Sequence, residues 1–137
     1  MEPFMDLRKE YGFTDKSLES EGVEVEIRSG AIVKVARTNN PKFKEYLRHL
    51  LKPYERQMQR RTMDDDLLND LTLRAVAKHV LLGWKGIYLD NKRVKYSPEK
   101  AFELMKEFED FQEDVVDAAS MRETFRAAVV EENTKNS

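Results

Sequence analysis

Residues 63–82 constrain the fold most, because they predict one long helix that is apolar on two faces. A helix of a globular domain usually carries a single apolar stripe. A second stripe therefore indicates either a central helix covered on both sides or a face left for a partner, and both interpretations stay open here. Gly83 is the predicted C-terminal cap. The first face contains Leu73, Val76, Ala77, Val80, Leu81 and Trp84, and the second contains Leu68, Leu71, Ala75 and Leu82.

The start of this helix is marked by acidic residues. Thr62 with Asp65 three positions later forms a pattern like a capping box, and 64–66 place negative charge at the positive end of the helix dipole. Three consecutive carboxylates could also hold magnesium, but on a helix they point in different directions, which favours capping. His49 and His79 have no further ligand types at a recognisable spacing, so we expect no metal site at either.

A β-hairpin and an amphipathic helix precede this segment. Valine and isoleucine alternate with glutamate over 23–27, Ser29-Gly30 forms a turn, and 32–35 are β-branched, which predicts a hairpin over 22–37. Asn40-Pro41 then forms an N-cap and first turn. Pro53 either kinks the helix or ends it near residue 52. The apolar stripe of this helix comprises Phe43, Leu47, Leu50, Leu51, Tyr54 and Met58.

The C-terminal part predicts a small second hairpin and two helices. Short apolar runs at 87–89 and 94–96 flank a turn at 90–93, and Ser97-Pro98-Glu99 caps the next helix. Asp110 with Glu113 starts the last helix. The inner face of the first helix is Ala101, Met105 and Phe108 with Phe102 beside it, and the stripe of the second is Phe111, Val115, Ala118, Phe125 and Val129 with Arg122 in the middle.

These elements predict an α+β, mainly α fold. An N-terminal β-hairpin is followed by about four helices, with the second hairpin between the central and later helices. We divide the chain into an N-terminal arm (1–21), a single domain (22–130) and a flexible tail (131–137). Phe4, Leu7 and Tyr11 are at helical spacing within the arm, which indicates a docked turn.

Composition favours a binding protein over an enzyme. The 137 residues include no cysteine, which excludes thiolate nucleophiles, disulfides and cysteine-bound metal. We find neither a nucleophile-elbow sequence nor a glycine-rich phosphate loop. Residues 1–13 have no uninterrupted apolar core and carry acids early, so we do not expect them to act as a secretory signal. No apolar run in the sequence reaches about 20 residues, the length that a membrane span requires. We therefore expect a cytoplasmic, non-catalytic protein with no cofactor and no small-molecule substrate.

The segment 42–61 is strongly basic. It could follow a nucleic-acid backbone, form a solvated face, or attract an acidic helix, including the acidic C-terminal half of another copy. Nucleic-acid binding would favour aromatic or amide side chains among the cations. Gln57 and Gln59 are present, but Tyr54 falls on the apolar face. A nucleic-acid-binding regulator is thus the alternative function. The predicted partner-binding residues are Leu68, Leu71, Ala75 and Leu82 from the central helix and Arg56 and Arg60 from the basic segment.

Three sequence blocks occur in a specific order: NPKF at 40–43 with LLKP at 50–53, VLLGWKGI at 80–87, and YSPE at 96–99 continuing to Phe111. In this order and spacing they resemble the tail assembly chaperone family of long-tailed bacteriophages. The resemblance implies a protein that binds the long helical tape measure protein, keeps it soluble, helps to recruit major tail protein and leaves before the virion is complete. It also implies the bacterial host cytoplasm as the location. Covering many sites on one long client requires many copies, so we expect weak self-association, which electrostatic attraction between the basic helix and the acidic C-terminal half would supply.

The family commonly produces a longer form by a programmed backward frameshift near the end of the short form. The segment 134–136, Thr-Lys-Asn, can be encoded as ACA-AAA-AAC, which contains a slippery run. Other codons would remove this run, so the DNA sequence decides whether the longer form exists.

Overall fold

A computed structural model describes residues 3–7, 16–121 and 124–125 of the chain and confirms the mainly helical α+β class. Among these residues, no helix is long and apolar enough to cross a bilayer. Single 3₁₀ turns occur at Arg28–Gly30 and Lys52–Tyr54. The described elements are α1 (Lys16–Glu21), β1 (Val23–Glu26), β2 (Ile32–Val35), α2 (Pro41–Leu51), α3 (Glu55–Gln59), α4 (Asp65–His79), β3 (Leu81–Lys85), β4 (Tyr88–Leu89), β5 (Lys92–Arg93), α5 (Pro98–Glu107) and α6 (Glu109–Ser120).

The predicted N-terminal hairpin is confirmed and forms part of a three-stranded antiparallel sheet in the order β1-β2-β3. Val33 and Val35 of β2 are fully buried on the inner face. The register between β2 and β3 shifts, because Val35 pairs with Leu81 and Lys34 pairs with Gly83. Leu82 is therefore the extra residue of a β-bulge in β3, since it has no partner on β2.

The predicted end of the central helix is wrong. Helix α4 ends at His79, and Leu82, Gly83 and Trp84 belong to β3, so Gly83 is not a helix cap. A short apolar run fits helix and strand equally well, and here the open edge of β2 decides for the strand. The Tyr96 hydroxyl secures the junction, since its oxygen lies 2.6 Å from the carbonyl of Leu81 and 3.2 Å from that of Ala77.

Helix α4 is the centre of the fold, with α2 packed on one side and α5 on the other. On the α2 side, the rings of Tyr46 and His79 meet edge to face at 5.2 Å. On the α5 side, the Arg74 guanidinium lies 5.0 Å from the ring centre of Phe102. On the second apolar face of the helix, Ala75 is fully buried inside the protein, whereas Leu68 and Leu71 are half-buried.

The helix caps show which start signals were read correctly. Asn40 and Ser97 cap α2 and α5 as predicted, accepting from the backbone N–H of the third following residue in each helix. Thr62 was the wrong cap for α4. That helix begins after Asp64, whose carboxylate accepts from the Asp66 N–H at 2.9 Å. Thr62 is instead held by the end of α3, because its N–H donates to the Gln57 carbonyl at 2.9 Å.

Pro53 ends α2 at Leu51 through a 3₁₀ turn, which agrees with the second alternative for that position.

The second hairpin exists but is shorter than expected. Asp90 and Asn91 alone form its turn, both with positive φ, so Lys92 and Arg93 belong to β5. A two-residue turn with both φ angles positive matches the natural twist of a hairpin.

The inner face of α5 includes Ala101 and Met105 as predicted, together with buried Leu104. Phe108 is a correction: it is 41% exposed, because the chain turns there at φ −111° and ψ 90° and leaves the helical period of α5. Helix α6 starts at Glu109 rather than at Asp110 and ends at Ser120. Phe125 is buried beyond that end. The predictions for Arg122, Val129 and the tail 131–137 concern residues outside the described ranges.

Part of the predicted N-terminal arm is helical. Helix α1 lies on the N-terminal side of the boundary expected at Gly22. It is fixed to the domain by Glu19, whose carboxylate lies 2.6 Å from a guanidinium nitrogen of Arg37. Phe4 and Leu7 are 85% and 64% exposed, so the described part of the arm shows no docked apolar turn. Tyr11 lies outside the described residues.

We expect Asn40→Ala to lower the free energy of unfolding by about 2 kcal/mol or more, because it removes an N-cap and leaves buried backbone groups without partners. Urea denaturation measures this change. Asp64→Ala is the matched control, since Asp64 is an exposed cap, and a cap of that kind contributes about 1 kcal/mol. Equal losses in the two variants would contradict a special role for Asn40.

Candidate partner-binding surfaces

The residues predicted to bind a partner do not form one surface. Ala75 is removed from the set because it has no exposed surface. Leu68 and Leu71 are half-buried on α4. Leu82 lies in β3 and packs over Gly22, where an added methyl group would stand only 2.9 Å from Leu82 Cδ1. Because α4 ends at His79, Leu82 lies outside the helix, and these residues do not form the continuous helix face that was predicted.

A different apolar surface lies between the turn after β1, the β4–β5 hairpin and the junction of α5 and α6. It is an open groove of about 400 Å³, which we name the hairpin groove. Its floor and walls are mainly apolar, and Arg28, Ser29, Tyr88 and Asp90 supply its polar side-chain atoms. The apolar lining residues are Ile27, Ala31, Ile87, Leu89, Leu104, Phe108 and Phe111, together with the ring of Tyr88.

Two large aromatic side chains at the rim of the hairpin groove are open to solvent. Tyr88 is 57% exposed and Phe108 is 41% exposed. Clustered exposed apolar groups of this kind often mark binding sites. The spacing of Phe108 from Met105 predicted a buried position on the inner face of α5. The sequence reading did not include the break between α5 and α6, which falls at Phe108. The φ and ψ angles of Phe108 turn its side chain out of the helical stripe.

One edge of the groove carries an exposed ion pair. The Arg28 guanidinium donates to the Asp114 carboxylate at 2.8 Å and 3.4 Å. Hydrogen bonding to Asp114 and its charge raise the pKa of Arg28 above its ordinary value, with smaller contributions from Asp110 and Glu113. The groove can thus seat apolar side chains beside a charged edge, which is a combination suited to recognising an amphipathic segment.

The basic segment forms a regular row on the protein surface. Lys44, Arg48, Lys52, Arg56 and Arg60 follow at every fourth position and are all exposed, and we name this row the basic ladder. Within the described ranges, none of the five makes an ion pair. The predicted partner residues Arg56 and Arg60 are therefore accessible.

An apolar strip accompanies the basic ladder. A shallow groove of about 380 Å³ runs beside it, with Phe43, Leu47, Leu51 and Met58 as its apolar lining. The aromatic residues of this region are poorly placed for stacking on bases. Tyr54 is half-buried, Phe43 is buried, and Tyr46 packs against His79.

The candidate metal ligands are scattered. In the described part of the chain, no group of three histidine or acidic side chains could hold a metal ion. Asp64 caps α4, and Asp65 and Asp66 lie in its first turn, which agrees with the capping interpretation of 64–66. His49 and His79 line the same small open cleft with Glu45. Burial, followed by the charges of Lys78 and Lys42, lowers the pKa of His79.

The comparisons with known proteins identify one family. Residues 38–136 match the family described as YdaY prophage protein. This range covers more than half of the chain and includes α2, α4, the second hairpin and both later helices. No curated protein and no solved structure matches the chain.

We expect the folded state to lose stability as the pH falls below 6.5, the ordinary pKa of histidine, in part because of His79. Its lowered pKa means that the unfolded chain takes up a proton first, so acid favours unfolding in this range. Urea denaturation at several pH values should show a smaller loss for His79→Gln than for the wild type. The variant His49→Gln, at an exposed histidine, is the control. Parallel pH profiles for the wild type and His79→Gln would contradict the assignment.

Proposed function

The chain belongs to the YdaY prophage protein family, and we propose that it is a tail assembly chaperone. In this role it binds the tape measure protein, keeps that client soluble and helps to recruit major tail protein. The family supports a phage or prophage origin. The finer role is supported by the resemblance of the blocks at 40–53, 80–87 and 96–111 to such chaperones, and by a surface suited to an apolar client.

The hairpin groove is the observation that carries the proposal. A long helical client exposes apolar stripes before assembly, and such stripes aggregate unless another surface covers them. An amphipathic helix can place its apolar side chains in a groove, and the exposed rings of Tyr88 and Phe108 provide contact area at the rim. Residues Leu68, Leu71 and Leu82 are half-buried, so they contribute less accessible area than this groove.

The size of the groove indicates reversible binding. Each large apolar side chain that becomes fully buried contributes about 1.5–3 kcal/mol. Two or three such side chains are largely offset by the cost of association and of ordering the interface. Weak individual sites suit a protein that must cover a client and then leave it. In this proposal the protein has no catalytic activity or cofactor and acts in the bacterial cytoplasm.

The test is co-expression with the long helical protein encoded by the same prophage. With the wild type, we expect the client to stay soluble and to co-purify. The double variant Tyr88→Asp, Phe108→Asp should lower the affinity more than about tenfold, since it places charge where two apolar contacts are expected. Met121→Asp is the matched control, because Met121 is 55% exposed and lies just beyond the other end of α6.

Two outcomes would contradict the proposal. The first is a client that precipitates with the wild type and also with the longer frameshifted form. The second is equal client solubility with the groove variant and the wild type, provided that both unfold at similar urea concentrations. Testing the longer form separately distinguishes a missing segment from a wrong function.

A nucleic-acid-binding regulator is the second candidate, and the unpaired basic ladder favours it. Such binding would weaken steeply with salt, because each phosphate contact releases counterions. The absence of an exposed aromatic residue between the described cations makes this candidate the weaker one. A salt titration with labelled duplex DNA measures it directly.

A further inference from the structure

The basic ladder is unfavourable in an isolated chain. Residues four apart on a helix are neighbours, and like charges at that spacing repel. Lys44 and Arg48 lie at this spacing in α2, and Lys52 follows in the 3₁₀ turn that ends the helix. Arg56 lies in α3 and Arg60 just beyond it. The described residues neutralise none of the five by an ion pair. A partner with a matching row of acids would convert this repulsion into attraction.

Helix α6 carries such a row. Glu109, Glu113 and Asp117 are exposed at the same four-residue spacing, and we name them the acidic ladder. None of the three makes an ion pair among the described residues, whereas Asp114 on the next row is occupied by Arg28. Half-buried Val116 lies beside the acidic ladder and offers an apolar contact.

The two ladders have matching dimensions. Lys44 to Lys52 spans eight residues, and so does Glu109 to Asp117. At a rise of 1.5 Å per residue, each row is about 12 Å long with charges about 6 Å apart. In an antiparallel arrangement Lys44 would face Asp117, Arg48 would face Glu113, and Lys52 would face Glu109. Antiparallel helices also bring opposite ends of their dipoles together.

The ladders do not satisfy each other within one chain. Helix α2 packs on α4, whereas α6 packs on α5 and β2, so the two rows belong to different packing layers. No ion pair joins the rows in the described structure. Their complementarity is therefore available only between molecules.

We propose that the basic ladder of one copy docks onto the acidic ladder of a second copy of this chain. The apolar strip of Leu47, Leu51 and Met58 beside the basic ladder would meet the side of α6 that carries Val116. The two contacting surfaces differ, so two copies can form a closed dimer in which the contact occurs twice, or many copies can form a chain in which each contact occurs once. Exposed ion pairs are individually weak, so the association is weak and sensitive to salt. This inference does not rest on the proposed function.

The experiment is sedimentation velocity of the full chain, free of nucleic acid, over a range of protein concentrations. The wild type should associate at low salt and dissociate at about 1 M salt, where the Debye length falls to about 3 Å. Reversing the basic ladder with Lys44→Glu, Arg48→Glu, or the acidic ladder at the facing positions with Glu113→Lys, Asp117→Lys, should weaken self-association at least about tenfold. The charge-matched control Lys92→Glu, Arg93→Glu changes exposed residues of β5 and should associate like the wild type.

Mixing separates a true contact from a folding defect. The two reversed variants should associate with each other when mixed, because every reversed row then meets a complementary one, and a chain with both rows reversed should regain self-association. A wild type that stays monomeric at low salt would overturn the proposal, as would a mixture that fails to associate. Loss of duplex DNA binding in the basic variant, with a monomeric wild type, would assign the basic ladder to nucleic acid.

Discussion

The side chain of Asn40 holds together the junction from which α2 and the basic ladder extend. Its amide nitrogen donates to the carbonyls of Arg37 and His79 at 2.8 Å and 2.9 Å, and its oxygen accepts from the Phe43 N–H at 3.0 Å. These bonds join the end of α4 to the start of α2. Asn40 is 4% exposed, so its side chain pairs the Phe43 N–H and the His79 carbonyl away from water. The Arg37 carbonyl also accepts from the Asn40 backbone N–H at 3.2 Å. Asn40 thereby fixes where the basic ladder begins.

The neighbouring backbone extends this junction. The N–H groups of residues 36, 37 and 38 donate in turn to the carbonyls of Val80, Glu19 and Ala119. One short segment therefore contacts the ends of α4, α1 and α6. The direction of α2 and the C-terminal end of α6 are set by the same few hydrogen bonds, so the two charged rows have a fixed relation in the fold.

A cluster of aromatic rings supports the hairpin groove from behind. The Trp84 indole N–H donates to the Val94 carbonyl at 2.8 Å, which attaches the strand β3 to the second hairpin. Its ring also meets Tyr96 and Phe111 edge to face at 5.1 Å and 6.3 Å. The wall formed by 87–90 is thus anchored to the sheet and to α6. A groove held in this way keeps its shape without a bound partner, which lowers the cost of binding.

Local signals predicted much of the fold, and contacts between distant segments decided the rest. Asn40, Ser97 and the hairpin over 22–37 were read correctly, since caps and turns depend on neighbours in sequence. The helix period was extended too far at 80–84, because the open edge of β2 is not visible in the local sequence. Phe108 was misplaced for a related reason: the turn between α5 and α6 changes its direction. The hairpin groove is built from three separate segments, so no single motif could have revealed it.

The third strand has a consequence for how the chain is made. Strands β1 and β2 are adjacent in sequence, but β3 follows only after α2, α3 and α4. While the ribosome synthesises the intervening helices, β2 presents an unpaired strand edge next to Val33 and Val35. Such edges attract other extended chains. The nascent protein is therefore most exposed to misassociation in the interval before residue 85 emerges, and closure of the sheet by β3 ends that interval.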